Sequence, residues 1–361
     1  MEKLSKNNDI LNGYVMLENE KVVIIENGKI TEINHKLAPL HFQKGKSLEE
    51  WLKSRAIDSH RTNSRLLKKA LRLENKDDLN TVLAVNAVTI TDNYWYKGKD
   101  ENLTWEDVKF KENIFDNLAL KGDPDAFSNN PSRTPELTNI GSFEKCWKLE
   151  NNKWWLYKYG NKNQIFSEIF IYNIGKKLGF NMAEYEYCDG YIKSLDFTNN
   201  GQYNYEPISA MLNDDEDYNT KFEYFYNLSE EIAKDYLKMI YLDSICYNMD
   251  RHTNNYGLLR NIKTGKVEAL APNFDNNIAL ISNGYPSDVT RKKDGLMKFF
   301  IDFINQNKKA KDMLKSLKIK ILEPKEIEEI LEKIPIKVDE QFIIRFVING
   351  QNIIKGDEQK C

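Results

Sequence analysis

The chain has 361 residues, 41% of them hydrophobic and 12% aromatic, which is ample for a large core and for two or three packed units. A formal net charge of −3 excludes a global attraction to nucleic acid or to an anionic membrane, so direct binding of either is not expected. Four widely separated cysteines, Cys146, Cys188, Cys246 and Cys361, exclude metal-ligand or redox spacing and read as free thiols of a reducing compartment. The start, Met1 to Asp9, has no apolar signal-peptide core, and no later run reaches the apolar length of a membrane span. A soluble cytoplasmic protein is therefore expected.

In chain order, residues 14–34 alternate apolar and polar groups through Tyr14 to Leu17, Val22 to Ile25 and Lys29 to Thr31. Turns at Glu18 to Glu20 and at Gly28 complete the pattern of a small antiparallel meander. Ser47-Leu48-Glu49-Glu50 has the form of a capping box and opens a helix through Trp51 and Leu52. A second helix is expected from Thr62 to Leu73, with Leu66, Leu67, Ala70, Leu71 and Leu73 on its apolar side and Arg61, Arg65, Lys68, Lys69 and Arg72 on its basic side. That basic side is either a docking surface for an acidic partner or nucleic acid, or a solvated face, which is the simpler reading. Residues 79–127 hold aromatic and polar blocks without a catalytic constellation. Gly122, Pro124, Asn129-Asn130-Pro131 and Pro135 then read as a linker, so residues 1–130 are taken as an N-terminal region for packing or partner recognition.

From Leu137 the pattern predicts strands: Thr138 to Phe143, Cys146 to Leu149 and, after an Asn151-Asn152 turn, Trp154 to Tyr159. A hairpin tip at Gly141 and Ser142 would let backbone amides approach nucleotide phosphates, or is a plain turn. Lys158 is a single charge in an aromatic run. It is either an edge-strand lysine opposing aggregation or the lysine that holds nucleotide phosphates. On a helix predicted from Asn163 to Leu178 and closed by Gly179, Glu168 shares its side with Ile165 and Tyr172, at the edge of the buried stripe. A carboxylate there needs a cationic partner, and Lys158 is the choice. Two more strands, 183–187 and 190–197, precede a loop-rich stretch over 199–228. The helix expected from Ser229 to Tyr247 has an acidic first turn in Glu230 and Glu231 and apolar residues around most of its surface, as a central buried helix would.

That helix runs into Asn248-Met249-Asp250-Arg251-His252-Thr253-Asn254-Asn255. A hairpin over 256–260 and 267–271 then leads to a second acidic site, Asn273-Phe274-Asp275. Phosphoryl transfer needs one carboxylate for the acceptor's hydroxyl proton and separate oxygen ligands for magnesium on the nucleotide. Asp250 can be the first group; Asn255 and Asp275 can be the ligands. The five-residue step from Asp250 to Asn255 matches the kinase catalytic loop. His252 either touches the γ-phosphate or braces the loop. Each fragment alone has a plainer reading as a polar loop or turn, but the pair at this spacing favours a site. Residues 276–295 would be an activation segment, followed by helices at 297–304, 308–317, 324–334 and 338–348, with Pro324 in a first turn.

The Asp-Arg-His-x-x-Asn form at Asp250 to Asn255, followed by a strand pair and Phe274-Asp275, resembles the HipA-like kinases and, more distantly, the phosphoinositide kinases. The resemblance covers residues 130–355 and extends upstream to the stretch 58–73. It implies an α+β, bilobal protein-kinase-like fold, with a β-rich N-lobe over 131–200, a helical C-lobe over 201–361 and an additional N-terminal α/β region. It further implies an ATP- and magnesium-dependent serine/threonine kinase. Asp250 and His252 would act in catalysis, Asn255 and Asp275 would hold magnesium, and Lys158, Glu168, Gly141 and Ser142 would hold the nucleotide. A hinge around Leu195 to Phe197 would contact the adenine. Relatives imply autophosphorylation near Ser142, a toxin role, a protein substrate such as an aminoacyl-tRNA synthetase, and a DNA-binding antitoxin as partner. Two alternatives stand beside this: a lipid kinase, for which only Arg291, Lys292 and Lys293 offer basic groups in the activation segment, and a degenerate kinase-fold binding module, because Asn273-Phe274-Asp275-Asn276-Asn277 lacks the glycine of Asp-Phe-Gly.

Overall fold

The alternating segment near the start forms three strands, β1 Gly13–Leu17, β2 Glu20–Glu26 and β3 Lys29–Ile33, with Glu18 and Asn27-Gly28 in left-handed turn conformations between them. The computed structural model describes residues 11–73, 76–129, 131–188 and 190–359; Met1 to Asp9, Asn130 of the expected linker and Cys361 lie outside them. The chain divides into two units. The first takes Met1–Trp154, Thr198–Glu206 and Arg260–Lys266; the second takes Trp155–Phe197, Pro207–Leu259 and Val267–Cys361.

In the first unit the strand order is β3-β2-β1-β4, where β4 is Tyr94–Gly98. Alternation sends Val15, Leu17, Tyr94 and Tyr96 to one core with Phe42, Trp51 and Leu52, and Met16 and Trp95 to another with Val88 and Val108. The sheet is thus covered on both faces. β1 and β4 approach closely at Gly13, where a Cβ would collide with the Lys97 carbonyl. Short helices accompany the sheet: α1 Leu40–Gln43, α2 Leu48–Lys53, α3 Thr62–Ala70, α4 Asp78–Leu83, α5 Trp105–Val108 and α6 Asp116–Lys121. The capping box of α2 forms, with the Glu50 N–H donating to Ser47 Oγ at 3.2 Å and the Ser47 N–H to Glu50 Oε2 at 2.8 Å.

Helix α3 stops at Ala70, and its expected basic side is partly consumed. Arg61 is buried and donates through Nη1 to the Asn139 carbonyl (3.0 Å) and through Nη2 to the Lys145 carbonyl (2.6 Å). Lys68 pairs with Asp78 at 3.6 Å. The strand expected over Thr138 to Phe143 does not form: Pro135–Thr138 is a 3-10 turn, residues 139–144 run irregularly, and β5 begins only at Lys145 and ends at Glu150. Gly141 and Ser142 therefore sit on an exposed bend rather than a hairpin tip, and the hairpin turn is Asn151-Asn152, both left-handed.

Glu136 holds that bend from inside. Its Oε1 accepts the Trp147 N–H (2.7 Å) and Asn113 Nδ2 (2.8 Å), its Oε2 accepts Asn139 Nδ2 (3.0 Å), and Arg61 lies 3.8 Å away. Desolvation outweighs these partners and lifts its pKa to about 7. A carboxyl whose folded pKa exceeds its unfolded one keeps its stabilising proton at low pH and loses that contribution as the pH rises through the folded value. Stability of the wild type should therefore fall between pH 5 and pH 8, by up to about 3 kcal/mol. Glu136→Gln carries no such proton, so urea titrations should show a shallower decline for it over this range; equal slopes for both proteins would clear Glu136 of the effect.

The stretch 199–228, expected to be loops, contains β9 Tyr203–Pro207 and α8 Tyr218–Leu228. Its first part joins the first unit through a buried ion pair, Arg260 Nη1 to Glu206 Oε1 at 2.6 Å. Arg260 also donates to the carbonyls of Ala38 (2.9 Å), Lys36 (2.9 Å) and Gly265 (3.1 Å), while Glu206 Oε2 accepts the Leu40 N–H at 2.5 Å. These bonds satisfy both charges, as burial requires.

β6 is Lys153–Lys158, and in the second unit its Trp155 to Lys158 part pairs antiparallel with β8 Tyr191–Leu195, and β8 with β7 Tyr185–Cys188; Lys158 stands opposite Ile192. Between β6 and β7 runs α7 Lys162–Lys177, capped at its start by Asn161 and Gln164 and followed by left-handed Gly179. α9 Glu230–Cys246 starts on Ser229, whose Oγ accepts the Ile232 N–H, and is buried along most of its length. It packs against α8, α10 Gly295–Gln306, α11 Lys308–Leu317 and α13 Glu340–Gln359, with α12 Pro324–Leu331 set against α13 and α7. The hairpin strands are β10 Gly257–Asn261 and β11 Val267–Leu270. Among the described residues no helix is long and apolar enough to cross a membrane.

Candidate functional site

The last turn of α9 sets the loop that follows. Tyr247 turns left-handed (φ 55°) and ends the helix. Asn248 is then buried, donates its N–H to the Asp243 carbonyl (2.9 Å) and its Nδ2 to Asp243 Oδ1 (2.9 Å), and accepts the Asp250 N–H on Oδ1 (3.1 Å). Within the loop the His252 N–H donates to the Asp250 carbonyl (2.8 Å), the Asn255 N–H to the His252 carbonyl (2.8 Å), and Asn255 Nδ2 to the Asp250 carbonyl (2.8 Å). The Asp250 carboxyl is half-buried with a raised pKa, first through desolvation; His252 opposes that shift and Asp275 reinforces it.

Asp275 reaches the same neighbourhood from the far end of the hairpin, in a left-handed conformation (φ 61°) that few residues other than glycine, Asn and Asp adopt. Lys158 Nζ lies 2.8 Å from Asp275 Oδ1 and 3.9 Å from Glu168 Oε2. Glu168 is fully buried, and its Oε1 accepts the Asn276 N–H at 2.8 Å. Tyr185 stands beside both residues: its hydroxyl accepts the backbone N–H of Asp275 at 3.2 Å and lies near the Glu168 carboxyl. Desolvation raises the Glu168 pKa against the pull of Lys158. For Lys158 desolvation works downward, yet Asp275 and Glu168 prevail and raise it, so the ammonium stays charged while buried.

Arg251 ties the two halves together. Its Nε and Nη2 grip Asp243 Oδ2 and Oδ1 at 2.9 and 2.8 Å. Nη1 donates to the carbonyls of Asn255 (2.9 Å) and Phe274 (2.6 Å), and Nη2 also to Asn273 Oδ1 (3.0 Å) and Asn276 Oδ1 (2.7 Å). A planar guanidinium with a fixed fork of donors can fill such a set, and a lysine cannot. Sequence reasoning did not single out Arg251, Asp243, Asn248 or Tyr185. For Asp243 a signal existed: it is a lone carboxylate on the buried side of α9, and a buried charge demands a partner.

The site residues expected from the sequence are distributed as follows. Lys158, Glu168 and Asp275 meet directly, and Asp250 and Asn255 form the adjoining loop. His252 is partly exposed beside Asp250. Leu195 ends β8, and Phe197 packs its ring on Phe274 at 5.5 Å, next to Asp275. Gly141 and Ser142 belong to the first unit. The donor set fits a magnesium-bound nucleotide: Asp275 supplies a carboxylate, and Asn255, whose Nδ2 is spent on Asp250, keeps its amide oxygen as a ligand atom. Magnesium takes few protein oxygens and completes its shell with phosphates and water. Lys158 supplies the fixed positive charge.

No family model and no curated protein matches the sequence. Solved structures do. A Helicobacter pylori proinflammatory kinase, CtkA, is 20% identical over 60% of this chain and 93% of its own, with a TM-score of 0.49. The HipA toxin chain, from the Shewanella oneidensis MR-1 toxin–antitoxin complex of HipA, HipB and operator DNA, is 11% identical over 97% of this chain and 99% of its own, with a TM-score of 0.58. The mixed α/β architecture with antiparallel sheets that carries Lys158, Asp250 and Asp275 is a HipA-like kinase fold.

Proposed function

We propose that this chain is an ATP- and magnesium-dependent protein serine/threonine kinase of HipA-like type, built on two lobes, that passes the γ-phosphoryl group to a protein hydroxyl. What supports this reading most is the contact of Lys158 with Asp275 at 2.8 Å, beside the loop of Asp250 and Asn255. Asp250 would orient the acceptor hydroxyl and take its proton as the acceptor oxygen bonds the γ-phosphorus and the bond from that phosphorus to the departing ADP breaks. Asn255 and Asp275 would hold magnesium, which would supply positive charge against the nucleotide's phosphates. Lys158, placed between Asp275 and Glu168, would supply positive charge to the phosphates. Arg251 keeps the catalytic loop and the metal loop in register, and positioning is most of what a kinase supplies. The HipA structure was solved with HipB and DNA, which supports a DNA-binding antitoxin as partner.

The lipid-kinase alternative loses ground, because Arg291, the first of its three basic groups, is buried against α9. Incubating the purified protein with γ-labelled ATP, magnesium and a bacterial lysate should label the chain itself or a lysate protein on serine or threonine, and EDTA should abolish the label. Labelled lipid without labelled protein would overturn the assignment, as would magnesium-independent nucleotide binding without turnover.

A further inference from the structure

The last four carbonyls of any helix lack partners inside it. In α9 these belong to Asp243, Ser244, Ile245 and Cys246, directly ahead of the loop that presents Asp250. The Asp243 carbonyl takes the Asn248 N–H. The other three are all satisfied by one later stretch, Asn276 to Asp294. The Leu280 N–H donates to the Cys246 carbonyl at 3.0 Å, and Arg291 donates through Nη1 to Ile245 (2.9 Å) and through Nη2 to Ser244 (2.6 Å). Arg291 is 2% exposed, stacks on the Phe346 ring of α13 at 4.1 Å, lies 5.6 Å from the Tyr247 ring, and bonds Asp294 through Nε at 2.6 Å. Gly350 of α13 makes room: a Cβ there would stand 2.9 Å from Arg291 Nη1 and 3.3 Å from the Ile245 Cα. The same stretch is tied to α7, where Ser167 Oγ donates to the Ala279 carbonyl at 2.8 Å beside Glu168.

We infer that Arg291 is a positioning residue for Asp250: it cements the end of α9 to α13 and to the stretch after the metal loop, and so fixes Tyr247 and Asn248, which in turn hold Asp250. The stretch is a helix cap built into the catalytic loop's foundation. The inference rests on the kinase reading of Asp250, and two measurements keep them apart.

The first is steady-state phosphotransfer by the full-length Arg291→Met and Arg291→Lys proteins. Arg291→Met should lower kcat by about 10²-fold, the scale of a small misplacement of a reacting group, with KM for ATP unchanged. Arg291→Lys, which can still reach one carbonyl, should fall between. The second is amide hydrogen exchange, which needs no activity. In both variants residues 247–255 and Leu280 should exchange faster, while β6 and α7 keep wild-type protection. Wild-type kcat, or wild-type exchange over 247–255, overturns the inference. So does a loss shared equally by KM and kcat, which marks general damage. If Arg291→Met does not fold, Arg291→Lys decides by the same criteria. If the wild type transfers no phosphate at all, the kinase reading fails and exchange alone judges the role of Arg291.

Discussion

Replacing Asp250 by Asn is expected to lower phosphotransfer by about 10²–10⁴-fold, the usual contribution of a positioned general base, while leaving affinity for the magnesium nucleotide nearly intact. Asn has the same shape, and the backbone bonds that build the loop, from the Asp250 N–H to Asn248 and from Asn255 Nδ2 to the Asp250 carbonyl, survive the change. What is lost is a carboxylate able to take a proton. The same reasoning sets a pH dependence. Desolvation raises the Asp250 pKa from the ordinary aspartate value, and in the proposed role of general base the active form is the deprotonated one. The acidic limb of kcat/KM should therefore lie at higher pH than that of an exposed aspartate, and activity should fall as the pH drops through it. Single-turnover rates and calorimetric nucleotide binding on the two proteins separate the outcomes. Undiminished transfer by Asp250→Asn removes this residue from catalysis, and nucleotide affinity lost in step with rate points to a collapsed loop.

The parts legible in the sequence are those with local periodicity or fixed spacing. The meander of β1 to β3 was readable from alternation, α9 from its apolar surround and acidic first turn, α7 from its closing glycine, and the loop from the Asp250 to Asn255 step. β4, β9 and α8 were not, for different reasons. β4 is only five residues long and is paired along its length to β1, so distant partners stabilise it more than its own pattern does. The stretch containing α8 is rich in Asn and Asp, which favour turns, and an aromatic face of Phe222 and Phe225 settles the matter through tertiary contact with Phe303, Tyr236 and Tyr256. The run over 138–143 misled in the opposite direction. Its apolar residues serve a 3-10 turn and a bend whose carbonyls are held by Arg61, a side chain read as part of a solvated face. Buried polar groups escape sequence reading most completely, since a buried arginine and an exposed one are spelled alike. Arg61, Arg260 and Arg291 are buried here and Arg251 is half-buried, and each spends donors on backbone carbonyls that a loop or helix end leaves open.

The largest effect on stability is expected at the Arg251–Asp243 pair, and its two members should not cost the same. Asp243→Asn leaves a guanidinium in the interior without its counter-charge and turns one acceptor into a donor facing Asn248 or Arg251, a change of about 3–5 kcal/mol. Arg251→Met strands Asp243 in the same way, and in addition strips the donor from the carbonyls of Asn255 and Phe274 and from Asn273 Oδ1 and Asn276 Oδ1. Each buried acceptor left open adds about 1–3 kcal/mol unless water enters, so Arg251→Met should be the more damaging variant. Combining it with Asp243→Leu should recover part of the loss, because the uncompensated carboxylate goes too, but never all of it, because the open carbonyls remain. Urea unfolding of the three proteins tests the ordering. Full recovery in the double variant would mean that Arg251 serves only to neutralise Asp243. Incomplete recovery identifies it as the joint between the catalytic loop and the metal loop, and the same proteins should then lose phosphotransfer even in the absence of denaturant.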